Sequence, residues 1–148
     1  MTKSTQITQP LRAWMDVFMH RSMRGWNQFA KSTGLSMPQF SILMQLHYKG
    51  ACGMSEISER FDVSAAAASQ LVDKLVQAGY IERTEDPSDR RAKLLKLSTS
   101  GAKLVDDGIQ ERYRWMDDVT SKLSPAEQVK ISEALSLLTA AVQKLDQN

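Results

Sequence analysis

The chain has a single cysteine, Cys52, among its 148 residues. No disulfide can form within it, and such sparing use fits a reducing compartment. No apolar run approaches the roughly 18 residues that a membrane span needs. The opening residues MTKSTQITQP lack the continuous apolar stretch of a secretory signal. A cytoplasmic protein with no membrane partner is therefore expected. Charge of one sign is scarce as well: the net charge is +2, which neither announces nor excludes a nucleic-acid partner. Chemistry-bearing motifs are missing too. The chain has no glycine-rich phosphate loop, no G-x-S-x-G and no credible Ser/His/Asp set. His20, His47 and Cys52 have no metal-ligand spacing. Neither an enzyme nor a bound metal or cofactor is expected.

What is present is ordinary in bulk, with 42% hydrophobic and 24% charged residues, as in a single soluble domain with a sizeable core. Its order along the chain is informative. Residues 10–31 read as a helix, with Leu11, Trp14, Met15, Phe18, Ser22, Trp26 and Phe29 at three- and four-residue steps. Pro10 suits its first turn and Gly34 its stop. Ser36-Met37-Pro38-Gln39 has the spacing of a capping box opening a second helix that ends near Gly50. A short helix follows Gly53, Asp62-Val63 makes a turn, and Ser64 caps the next helix. Two short helices so joined are a helix-turn-helix.

In the helix after Ser64, residues Ala68, Leu71, Val72 and Leu75 share one face and must point to the core. The other face carries Ala65, Ala66, Ser69, Gln70 and Asp73, with Lys74 at its edge. Such a small, uncharged start suits a helix lying deep in a DNA major groove, where Ala packs on a thymine methyl and Gln70 bonds an adenine edge. An alanine-rich surface helix chosen for propensity would look the same. Gly79 ends it. A strand over residues 80–84, the turn Asp86-Pro87-Ser88-Asp89 and a strand over residues 92–97 then form a charged hairpin. Arg90 and Arg91 sit near its tip and Lys93 on its return strand. A tip arginine suits the narrow minor groove, with Asp89 orienting one arginine by an ion pair. An exposed charge cluster of little energetic worth is the plainer reading. Helix plus hairpin is the plan of a winged helix-turn-helix.

The remaining helices lie C-terminal. One runs from Ser98 to about Lys122. Ser124, Pro125 and Glu127 open the last, which carries Ile131, Leu135, Leu138, Val142 and Leu145 at 4-3-4-3 spacing. A seam this regular meets another helix, either within the monomer or in a second copy.

With those residues in view, the sequence resembles the MarR family of bacterial transcription regulators. Asp86-Pro87-Ser88-Asp89-Arg90-Arg91 looks like that family's D-P-x-D-R-R wing, and Leu97-Ser98-Thr99-Ser100-Gly101 like its L-[ST]-x-x-G helix start. Leu71-Val72-Asp73-Lys74-Leu75 and Gly79-Tyr80-Ile81-Glu82-Arg83 resemble its recognition helix and first wing strand. The chain departs from the family pattern in its Ala-rich helix start and in Gln70, where a basic residue is frequent. The resemblance implies a mainly α fold with a small β-wing. Residues 1–35 and 98–148 would form a helical dimerisation region, and residues 36–97 a winged helix-turn-helix. It implies a homodimer binding double-stranded DNA through Ser64, Ala65, Ala66, Ser69, Gln70, Lys74, Asp89, Arg90, Arg91 and Lys93. A small aromatic or amphipathic effector is expected at Trp14, Phe18, Trp26 and Trp115, although aromatics at helical spacing are more often plain core. Two alternatives stand beside a ligand-responsive repressor: a thiol-redox regulator acting through Cys52, and a winged-helix protein-interaction module that binds no DNA.

Overall fold

A computed structural model describes residues 3–89 and 91–146, with side chains from residue 6 onward. Six helices and three short strands follow one another as α1 (Lys3–Thr33), α2 (Met37–Lys49), β1 (Cys52–Gly53), α3 (Met54–Arg60), α4 (Ala65–Gln77), β2 (Ile81–Glu85), β3 (Lys93–Leu97), α5 (Thr99–Thr120) and α6 (Pro125–Leu145). The fold is mainly α with a small β-wing, as expected. The chain divides into two compact units, Met1–Arg112 and Tyr113–Asn148.

Local signals place most boundaries. Ser36 caps α2 through a complete capping box: its Oγ accepts from Gln39 N, and Gln39 Oε1 accepts from Ser36 N at 2.9 Å. Ser124 and Glu127 repeat the device at α6. There, hydrogen bonds from Ser124 hold the Glu127 carboxyl below its usual range. Gly79 follows α4 at φ +79, a left-handed conformation that glycine adopts without steric cost. The start of α1 is a correction. Residues 10–31 were expected as the helix with Pro10 in its first turn, yet the helix begins at Lys3 and Pro10 lies inside it. Proline there removes one donor to the carbonyl of Gln6. Gln6 is exposed, so water can satisfy that oxygen and the helix runs through.

The core of the first unit gathers one face from nearly every element. Ile42 and Leu43 of α2, Ile57 of α3, Ala68, Val72 and Leu75 of α4, Leu95 of β3 and Val105 of α5 are almost wholly buried. Removing each Leu, Ile or Val side chain from water contributes about 1.5–3 kcal/mol, so α4 is held chiefly by its apolar stripe. A second cluster sets Trp26 edge-on against Phe40 at 4.6 Å between ring centroids, with Phe29 edge-on to the same ring. In the sheet, β3 lies between β1 and β2, antiparallel to both. Cys52 faces Leu95, and Ile81 to Glu85 run opposite Leu97 to Lys93.

The root of the hairpin is clasped shut. Ser98 N donates to the Tyr80 carbonyl at 3.0 Å, Ser98 Oγ donates to the Gly79 carbonyl, and Gly101 N donates back to Ser98 Oγ. The start of α5 thereby comes so close that a Cβ on Gly101 would drive into the Tyr80 carbonyl oxygen.

Exposed apolar residues are most numerous on α1 and α6. Trp14, Met15, Val17 and Met19 are exposed on α1. No residue of α6 is buried, and Leu135, Leu137, Val142 and Leu145 are exposed there. Among the described residues, no helix is long and apolar enough to cross a membrane.

Candidate nucleic-acid interface

The N-terminus of α4 is built by Ser64, whose extended backbone stops the preceding turn and whose Oγ accepts from Ala67 N at 3.1 Å. With Ala68, Val72 and Leu75 in the core, the opposite face presents Ser64, Ala65, Ala66, Gln70 and Lys74 to solvent, with Ser69 half-buried. Asp73 shares that face but is engaged: its carboxylate accepts from the guanidinium of Arg83 on β2. The pair ties the middle of α4 to the first wing strand. No local signal in the sequence couples these two residues. They flank a helix stop, and only the packing of strand on helix brings them together.

The wing is shaped by its own carboxylates. Asp86 Oδ1 accepts from both the hydroxyl and the amide of Ser88, at 2.7 and 2.8 Å. These bonds hold its carboxyl below the usual range. Asp89 N donates to the Asp86 carbonyl, closing the turn, and Asp86 N and Ala92 N rejoin the strands. Asp89 Oδ1 accepts from the backbone amide of Arg91 at 2.9 Å. Toward Arg91, Asp89 acts on the backbone and shapes the turn; the expected ion pair with the other arginine, Arg90, falls outside the described residues. Arg91 is exposed. Lys93, expected on the DNA, stands 3.5 Å from Glu85 directly across the strands, and Lys96 stands 3.3 Å from Glu82. Both pairs are solvent-exposed and contribute little to stability. Among the described residues, no ion pair engages Lys74 or Arg91. They are the free cations of α4 and of the wing tip.

The expected effector residues differ in exposure. Trp26 is built into the core, 8% exposed, against Phe40. Trp14 is 42% exposed, Phe18 half-buried, and Trp115 half-buried in the second unit. Cys52 lies in β1, which is too short to have been read from periodicity. It is buried, with Gln45 Nε2 4.0 Å from its sulfur. Burial, and then the Glu56 carboxylate, push its thiol pKa up, which disfavours the reactive thiolate. Among the described residues, no three metal-ligating side chains cluster.

Comparison with known proteins agrees with this geometry. The MarR family model matches residues 35–93, from the start of α2 to the return strand of the wing. The chain is 32% identical over 110 residues to the HTH-type transcriptional regulator YfiV of Bacillus subtilis, spanning 74% of this chain and 68% of that one. Among solved structures, the transcriptional regulator Tm0710 of Thermotoga maritima superposes with a TM-score of 0.85 at 25% identity, covering 95% of this chain and 99% of that one. MepR of S. aureus, in a mutant form bound to an oligodeoxyribonucleotide, shares the fold with a TM-score of 0.69 at 20% identity, over 89% of this chain and 97% of that one. A helix-turn-helix with its wing, the family model that spans it and a relative similar over most of its length converge: the chain belongs to the MarR family of helix-turn-helix transcriptional regulators.

Proposed function

We propose that the protein is a ligand-responsive repressor that acts in the cytoplasm as a homodimer on a pseudo-palindromic operator. The observation that carries this reading is the pairing of two features on one lobe. One is a capped helix whose exposed start is small enough to enter a groove. The other is a hairpin whose Asp86 and Asp89 carboxylates bond its own turn and leave the Arg91 side chain exposed. MepR, which shares the fold, is bound to DNA in its structure, in keeping with such a use of the lobe. Ser64, Ala65, Ala66, Ser69, Gln70 and Lys74 would enter or flank the major groove. Arg91, and Arg90 beside it, would serve the minor groove, and Asp89 would hold the tip in shape. Lys93 would reach a phosphate only by leaving Glu85.

The exposed apolar faces of α1 and α6 support self-association, since apolar strips of this length on a lone chain remain in water. Two recognition helices related by a two-fold axis would read half-sites about 34–36 Å apart. An effector would act by preferring a spacing of the lobes that no longer fits the operator. Switching from 1:99 to 99:1 needs a preference of about 5.5 kcal/mol. Trp14 and Phe18 are the more accessible of the expected effector contacts in the first unit.

A salt titration of binding to the DNA upstream of the protein's own gene tests the central claim. With six to ten phosphate contacts, affinity should fall by about 10³–10⁵ between 50 and 200 mM salt. A flat response or no binding would leave a winged module used for protein contacts. For the dimer, Leu138→Asp should sediment as a monomer; an unchanged dimer would place the interface elsewhere.

A further inference from the structure

The chemistry that α4 offers a base pair is defined by subtraction. The core takes Ala68, Val72 and Leu75. Arg83 takes Asp73, and in doing so commits its own guanidinium. Each base edge in the major groove asks for a different partner: guanine for a forked cation, cytosine for a carboxylate acceptor, adenine for the paired donor and acceptor of an amide, thymine for an apolar contact with its methyl. The helix sequence AAAASQLVDKLVQ contains no arginine, and its one carboxylate is held by β2. Lys74 lies ten residues beyond the cap, about 15 Å along the axis at 1.5 Å per residue. A recognition helix meets base edges with its N-terminal residues, and Lys74 lies in the C-terminal half of α4, on the side of the phosphates. Helix α4 has two exposed amides, Gln70 and Gln77; Gln77 closes the helix, and Gln70, one turn beyond Ala66 on the same face, is the one near its start.

We infer that each half-site is read as A·T pairs, with the Gln70 amide forked onto adenine N6 and N7, and that Asp73–Arg83 is a positioning pair. The pair keeps a carboxylate and a guanidinium from addressing cytosine and guanine. Ala65 and Ala66 then meet the thymine methyls beside that adenine. This inference rests on the DNA-binding reading above.

The test is selection by the full-length protein from a randomised duplex library, followed by atom-level substitution in the recovered sequence. The half-site cores recovered should be A·T pairs. Replacing the contacted adenine by 7-deazaadenine removes only N7. It should weaken wild-type binding by about tenfold or more, within the five- to hundredfold range of a forked contact, and leave Gln70→Ala unaffected. Replacing the adjacent thymines by uracil should cost about fourfold for each methyl lost. Asp73→Arg and Arg83→Asp, made singly, should blur the selected core, and the double swap should restore it. A pair that served stability alone would change melting and leave the core unaltered, overturning its positioning role. Recovered cores of G·C pairs, or cores indifferent to 7-deazaadenine, would overturn the inference while leaving DNA binding intact. Failure to enrich any sequence would instead overturn the DNA-binding reading, and this inference with it.

Discussion

Helix α4 and the wing are tied by Asp73 and Arg83 and are held by opposite means. The helix is anchored by burial: Ala68, Val72 and Leu75 are shut off from water and its N-terminus is capped. Among the described residues the hairpin buries only Ile81 at its root and Leu95 at its middle. Beyond them it depends on the β2–β3 main-chain ladder and on turn hydrogen bonds to Asp86 and Asp89. Placement of the helix is thus a property of the whole core, whereas the shape of the tip is written into six or seven consecutive residues. Stability and affinity should therefore separate along this line.

The sharpest way to break the comparison is within the core. Leu75→Ala should destabilise the fold by about 2–5 kcal/mol, read from urea unfolding, and lower DNA binding only in proportion to the protein unfolded. A milder effect would mean that α4 is held by something other than its stripe. Arg91→Ala inverts the pattern. Stability should stay within about 0.5 kcal/mol of wild type. Operator affinity should fall, and the slope of log affinity against log salt should lessen by about one. Equal affinity would remove Arg91 from the interface.

The smallest effect is acid dependence at the tip. The Asp86 carboxyl is lowered by its bonds from Ser88, so the folded turn binds its proton less readily than the unfolded chain does. Its contribution is present above the unfolded pKa and is lost as pH falls through the folded one. In NMR titrations the Ser88 amide should shift with Asp86 in acid, and Asp86→Asn should abolish that shift while leaving the α4 amides unmoved. Movement of α4 in step with Asp86 would show that helix and wing are coupled more tightly than their separate supports imply.

Those separate supports also explain what was legible in the sequence. Capping boxes, the Gly79 stop and the turn of the hairpin arise from contacts within a few residues, and the apolar stripe of α4 from a local period, so spacing alone reveals them. β1 does not, because two residues have no period, and Cys52 finds Leu95 only across the intervening helix-turn-helix and hairpin. Asp73 was rightly placed on the open face of its helix, yet its engagement by Arg83 depends on tertiary packing. Lys93 looked like a free cation because its partner, Glu85, lies on the other side of the turn. Trp26 shows the limit for ligand sites: a helical stripe of aromatics looks alike whether it lines a pocket or, as here, closes on Phe40.

The close approach of Gly101 to the Tyr80 carbonyl has a genetic consequence. Every missense change in a glycine codon adds at least a Cβ, so no single-base step from that codon reaches a residue that fits. Suppressors at Tyr80 are closed as well, because the obstructing oxygen belongs to the main chain and every amino acid carries it. In a saturation map of retained DNA binding, column 101 should be blank except for the synonymous codons.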